Sequence, residues 1–180
     1  MSWASAIAAD PVNREKDDFY PTPPQGTRAL LQVERFNGAI WEPACGDNAI
    51  VDVLRAAGHD VIGTDLVPRG ANAAGRVDFL MEYRSRAPNI VTNPPFKLSE
   101  AFARKALALS TGKVAFLCRL AWLEGQERRA LFQSTPLARV WVFSKRLKIW
   151  RRGQATSEGG GMIAFAWFVW EHGHEGPPVL

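Results

Sequence analysis

The tetrapeptide Asn93-Pro94-Pro95-Phe96 combines residue types that could do chemistry on an amine. Each proline lacks a backbone donor and fixes its own φ, and the first of them restricts Asn93 as well. What remains is a stiff set of acceptors, the Asn93 side-chain carbonyl and the Pro94 backbone carbonyl, beside the flat ring of Phe96. A planar ligand carrying an NH2 group suits such a set. The exocyclic amine of a purine is a poor nucleophile because its lone pair is delocalised into the ring. Two acceptors taking its two N–H bonds favour a pyramidal nitrogen, free the lone pair and stabilise the positive charge that develops as it reacts. A base that has left its helix could stack on Phe96. Read as structure alone, the same four residues are a rigid turn ending a buried strand.

Other chemistry-bearing groups precede this one along the chain. Glu42-Pro-Ala-Cys-Gly46 has the form of a turn whose glycine lets the backbone approach a ligand closely. Asp65 is a carboxylate placed to accept hydrogen bonds from ribose hydroxyls, and Asp78-Phe79 pairs an acceptor with an apolar face. Helix caps and turns use the same residue types, so each is weak alone and stronger in this order and spacing. A fifth feature is basic. Between Arg128 and Ser157 lie Arg128, Arg129, Arg139, Lys145, Arg146, Lys148, Arg151 and Arg152 with no acid, which leaves an acidic balance in the rest of a chain whose net charge is +4. The densest part, Lys145 to Arg152, also holds Trp150. Lys145, Arg146, Lys148, Arg151 and Arg152 suit a phosphate backbone and Trp150 a stacked base. A solvated loop is the alternative.

Stepping from these residues to the elements that must hold them, seven apolar runs read as strands: 39–43, 60–65, 76–79, 89–92, 113–119, 139–144 and 162–171. Helical periodicity falls between them. Ile50, Val53, Leu54 and Ala57 share a face over 49–57, which Gly58 ends. Ser99 is placed to cap a helix to about residue 110, and further helices fit 25–36 and 124–133. Strands alternating with helices of this length predict an α/β fold with a mostly parallel sheet covered on both faces. The last two runs lack a helix between them and predict an antiparallel pair at one end of the sheet. In such a sheet ligands bind beyond the carboxyl ends of the strands, where Glu42–Gly46, Asp65, Asp78-Phe79 and Asn93–Phe96 are expected to lie.

Taken together, these residues resemble a class I S-adenosylmethionine-dependent methyltransferase of the amino-methyltransferase group that acts on DNA adenine N6, with the motif order of the gamma-type enzymes. The resemblance covers nearly the whole chain. It implies one Rossmann-like domain over 1–180, with a seven-stranded sheet, made of an N-terminal cofactor segment and helix (1–38), a core (39–171) and a tail (172–180). Phe19-Tyr-Pro-Thr-Pro-Pro24 is similar to the motif that contacts the amino-acid part of the cofactor, which gives Tyr20 and Thr22 that role. Glu42, Ala44 and Gly46, with Cys45 between them, resemble the motif around the methionine moiety. Asp65 corresponds to the ribose-binding acid, Leu66 to its apolar neighbour on the adenine, and Asp78 and Phe79 to the pair at the cofactor's adenine. Asn93, Pro94, Pro95 and Phe96 take the catalytic role, with Asn93 also beside the cofactor. The chain is similar too to small methyltransferases of phages and prophages, which share the early Tyr-Pro-Thr-Pro stretch and a Trp-rich last strand.

The sequence departs from the pattern twice. Asn48 stands where the glycine motif usually has a second Gly, and Asn tolerates left-handed torsions better than most residues. No target-recognition domain is expected after the core. The resemblance then implies a short or degenerate DNA target, or a protein partner that supplies specificity.

Composition narrows the rest. At 47% hydrophobic and 22% charged, the chain is neither disordered nor collagen-like nor a coiled coil. Its longest uncharged stretch, Gly159 to Trp170, is too short to span a bilayer, and the first ten residues carry no base, so a soluble, cytoplasmic protein without a signal peptide is expected. Cys45 and Cys118 have no metal or redox spacing. His172 and His174 with Glu171 and Glu175 could be drawn as a metal site, but a solvated tail is the better reading, and no metal is expected. Trp122 and Glu124 are placed after the fifth strand, where they could border the substrate. Other readings stay open: methylation of RNA at adenine N6 or guanine N2, methylation of a protein glutamine, or a catalytically silent nucleic-acid-binding protein on the same fold. Asn93→Ala is expected to abolish turnover and leave cofactor affinity intact.

Overall fold

A computed structural model describes residues 20–69, 76–149 and 163–180. Its elements run α1 (Pro24–Val33), β1 (Ile40–Glu42), α2 (Ala49–Ala56), β2 (Val61–Gly63), β3 (Asn89–Thr92), α3 (Ser99–Leu109), β4 (Lys113–Arg119), α4 (Gln126–Ser134), β5 (Leu137–Val142) and β6 (Phe165–Glu171). The strands form one sheet in the order β2-β1-β3-β4-β6-β5. The β1–β2, β1–β3 and β3–β4 pairs are parallel, and β6 runs antiparallel to both β4 and β5. The predicted mostly parallel sheet with an antiparallel pair at one end is therefore what the chain adopts.

Alternation within the strands explains why the sheet must be covered twice. In β4, Val114, Phe116 and Cys118 pack into one core cluster, and Ala115 and Leu117 pack into another. The first cluster is completed by Phe102, Ala103 and Ala106 of α3 and Leu131 of α4. The second takes Leu30 of α1 and Ile50, Val51 and Leu54 of α2. A strand apolar on both faces is stable only between two layers of helix. Strand β6 contributes Trp167 to one layer and Phe168 and Trp170 to the other, and the Trp167 indole N–H is satisfied by the Gly26 carbonyl at 2.9 Å.

At the amino pole of the sheet a buried charge cluster fixes α1. Glu34, the C-cap of α1 and 2% exposed, accepts from Lys113 at 2.7 Å, from Trp141 Nε1 at 2.8 Å and from Arg139. Glu171 completes it through Arg139 and, at 3.7 Å, Lys113. These hydrogen bonds outweigh the burial that would raise the Glu34 carboxyl, and hold it below its ordinary range.

Three expectations are corrected. Among the described residues the sheet has six strands, not seven, because 76–79 forms no strand: Asp78 caps a single 3-10 turn over Phe79–Met81, its carboxylate accepting from the Leu80 N–H at 3.0 Å. A side-chain acceptor offered to the local backbone competes with strand pairing. Ser99 is the first residue of α3 rather than its cap, and its hydroxyl donates back to the Phe96 carbonyl at 3.0 Å, closing a 3-10 turn over Phe96–Leu98. The tail is only partly solvated: the backbone of Val179 pairs with Ala138 and Val140 of β5, and His172 Nε2 lies 2.9 Å from Ser110 Oγ.

Candidate active site

The chain turns one way from β1 to β2 and the other way from β1 to β3, so the strand order reverses at β1. A crevice opens there beyond the carboxyl ends of the strands. It is a cavity of about 500 Å³. Residues after β1, β2 and β3 line it together with the segment preceding α1.

The glycine turn after β1 is built by backbone torsion and one carboxylate. Gly46 has φ 55° and Asn48 φ 70°, so Asn48 occupies the left-handed region in place of a glycine while serving as the N-cap residue of α2. Asp65, just beyond β2, accepts from the Gly46 N–H at 2.8 Å and from the Val67 N–H at 2.7 Å, and so ties both turns to the same wall. The Arg69 guanidinium lies 3.8 Å from the oxygen that Val67 uses.

Glu42 ends β1 at 2% exposure, with Oε2 buried and unpartnered. Burial, then the nearby Asp65 carboxylate, pushes its carboxyl well above the usual range, against the lowering effect of a hydrogen bond from the Val51 N–H in the first turn of α2. A carboxyl held high by burial, with an idle oxygen in a cavity wall, is suited to a cation. Burial first and Glu42 second push the Cys45 thiol up to about 12, so it is no nucleophile at neutral pH.

Asn93 follows β3. Its amide nitrogen is fully used, donating to Thr22 Oγ1 at 3.1 Å and to the Tyr20 carbonyl at 3.2 Å. Its Oδ1 is buried and accepts nothing. An idle buried acceptor costs about 1–3 kcal/mol, which a donor from a ligand in the cavity would offset. These bonds tie Asn93 to two residues that line the cavity, so Asn93→Ala removes contacts to the cavity wall as well as an acceptor.

Tyr20, Thr22, Glu42, Ala44, Cys45, Gly46, Asp65, Leu66, Asp78, Phe79 and Asn93, the residues expected to hold a cofactor, all line this one cavity, as does Pro95. Pro94 and Phe96 do not line it. The Phe96 ring is instead stacked on Tyr20, with centroids 5.4 Å apart, and the Arg119 guanidinium lies 4.5 Å from its centre. Trp122 is away from the mouth as well: it is 8% exposed and sits edge-on to Phe132, Phe168 and Trp170 in the core. Sequence reasoning did not single out Asp47, Arg69 and Lys97, which also line the cavity. For Asp47, its place inside the glycine turn was the available signal.

In the basic segment Lys145 and Arg146 are exposed and Lys148 half-buried, with Leu147 between them buried against Gly26 of α1. That apolar anchor holds the bases on the helix whose preceding residues wall the cavity. Trp150, Arg151 and Arg152 lie outside the described residues.

No protein-family model and no curated protein sequence matches this chain. Solved structures do. The chain is similar to an assigned RNA methyltransferase from Pyrococcus horikoshii, at 14% identity and a TM-score of 0.63 over 93% of this chain and 94% of that one. It is similar to an assigned class I S-adenosylmethionine-dependent methyltransferase from Listeria monocytogenes, at 14% identity and a TM-score of 0.61 over 97% of this chain and 67% of that one. Magnesium protoporphyrin IX methyltransferase from Synechocystis, solved with bound S-adenosylmethionine, matches at 11% identity and a TM-score of 0.54 over 82% of this chain and 79% of that one. At such identities the likeness is one of fold, and the fold is that of class I methyltransferases.

Proposed function

We propose that this chain uses S-adenosylmethionine to methylate the exocyclic N6 amine of adenine in DNA. On a class I methyltransferase fold, the observation that carries the reading is the Asn93 amide, whose nitrogen is saturated while its buried oxygen faces no donor. The donor set fits the cofactor: the Glu42 carboxyl with its idle oxygen and the Asp65 carboxylate suit a cationic ligand bearing a ribose, and the Gly46–Asn48 turn leaves backbone accessible.

When bound, the cofactor supplies a methyl group already activated on a sulfonium, so no metal is required. The chain's own residues do the rest. Asn93 Oδ1 and the Pro94 carbonyl accept the two amine N–H bonds, hold the nitrogen pyramidal with its lone pair toward the cavity, and stabilise the positive charge it gains. Asp65 orients the ribose. Tyr20, Phe96 and Arg119 form a ready stack, so an entering base meets this assembly rather than a bare ring. Lys145, Arg146 and Lys148, with Trp150, Arg151 and Arg152, neutralise DNA phosphates and support the extruded base. A short target or a protein partner supplies specificity.

The test is to express the chain in a host free of DNA methylation and digest its DNA and RNA to nucleosides for mass analysis. N6-methyladenine in DNA is expected, absent with Asn93→Ala, a loss of at least about a hundred-fold. A methylated nucleoside in RNA alone would move the acceptor to RNA. The P. horikoshii likeness keeps that second reading in view. No modified nucleoside in either would refute the assignment to nucleic acid.

A further inference from the structure

Resting on that reading, we infer that Thr22 is a positioning residue, which holds the Asn93 amide with its oxygen turned to the acceptor amine. An amide's two ends are nearly alike in shape and opposite in hydrogen-bonding sense. Turned about, Asn93 would present N–H bonds to an incoming N–H donor and the site would repel its substrate. Packing alone discriminates poorly between these orientations, so hydrogen bonds must.

Two bonds hold the amide, both from elsewhere in the chain. The Tyr20 carbonyl can only accept, and so rejects an oxygen placed against it. Thr22 Oγ1, a hydroxyl able to face either end, takes the second amide N–H at 3.1 Å and holds the orientation that the carbonyl selects. Thr22 is 4% exposed, so solvent does not readily replace its hydroxyl if it is removed. Thr22 and Tyr20 also line the cofactor cavity. The residues that touch the cofactor are thereby those that aim the amide, and filling the cavity steadies the acceptor site before the base arrives.

Thr22→Val keeps the shape and deletes the acceptor, and Thr22→Ser restores it. With cofactor and DNA both saturating, Thr22→Val is expected to lower kcat about three- to ten-fold, the worth of one hydrogen bond, and Thr22→Ser to recover most of that loss. A second readout needs no substrate: in protein labelled with 15N at asparagine, the Asn93 side-chain NH2 should exchange with solvent faster in Thr22→Val than in the parent. Equal kcat for parent and Val variant, or equal losses for Val and Ser, would overturn the inference while leaving the methyltransferase reading intact. If the parent transfers no methyl group to nucleic acid, the proposed function fails and the exchange measurement decides: unaltered Asn93 protection in Thr22→Val overturns the positioning role.

Discussion

Glu42→Gln should make the protein more stable at neutral pH and worse at binding its cofactor. Glutamine keeps an acceptor for the Val51 N–H and fills nearly the same volume, so the change isolates the titratable proton. In the folded chain, burial and then Asp65 hold the Glu42 carboxyl well above its ordinary value. Below the unfolded carboxyl's pKa, about 4.3, both states are protonated and the site costs nothing. Above it the unfolded chain releases the proton and the folded chain retains it, so stability falls as pH rises, by about 1.4 kcal/mol per pH unit, until the folded carboxyl itself ionises. The glutamine variant has no such slope. Urea unfolding of both proteins at several pH values from about 4 to 8 should show near-equality at the acid end and a growing advantage for the variant. Each kcal/mol corresponds to roughly 2–4 °C in Tm for a chain of this size. Calorimetry supplies the other half: the parent should release protons on binding S-adenosylmethionine, seen as a dependence of heat on buffer. Glu42→Gln should release fewer and bind at least about ten-fold more weakly, the worth of one charge-assisted contact. A pH-independent stability difference together with unaltered affinity would refute the reasoning and leave Glu42 as a cap on α2.

Glu34→Ala should cost about 2–4 kcal/mol, because Lys113 and Arg139 are left mostly buried with only Glu171 between them. As the Glu34 carboxyl is held low, its contribution is present above about pH 4.3 and lost as pH falls through the folded value, so thermal unfolding should find parent and variant converging in acid. Asn48→Ala should lose about 1–2 kcal/mol in urea unfolding because alanine is strained at φ 70°, whereas Asn48→Gly should not. Neither Cys45 nor Cys118 should react with a thiol reagent at neutral pH until the chain is unfolded, since both are buried with raised pKa values; fast labelling of the folded protein would contradict this.

Much of the architecture was legible because it is written in short-range patterns. The buried runs of β4 and β6 exceed what a half-exposed strand would carry, and the helical face Ile50–Leu54 points the same way. Local reading failed where one side chain redirected the backbone. Asp78 offers its carboxylate to Leu80, which ends a run that otherwise reads as a strand, and the Ser99 hydroxyl turns back to Phe96. Both residues stand out in the sequence, but the choice between capping, turning and pairing depends on what neighbouring segments supply.

The candidate site divides along the same line. Residue types along the chain are local facts, and eleven of them, seven at or just beyond strand ends, meet in one cavity where the strand order reverses at β1. The states of those residues are not local. The Glu42 carboxyl is held high by burial and then by Asp65, just beyond another strand, and the direction of the Asn93 amide is selected by the Tyr20 carbonyl and held by Thr22, more than 70 residues earlier. Phe96 was legible as an aromatic beside the prolines, yet only tertiary packing puts Tyr20 and Arg119 on its ring. A motif therefore specifies which atoms a reaction can use, whereas the protonation and orientation that make them useful are properties of the packed fold. A substitution at Thr22, outside the tetrapeptide, should accordingly alter its chemistry without altering any of its four residues.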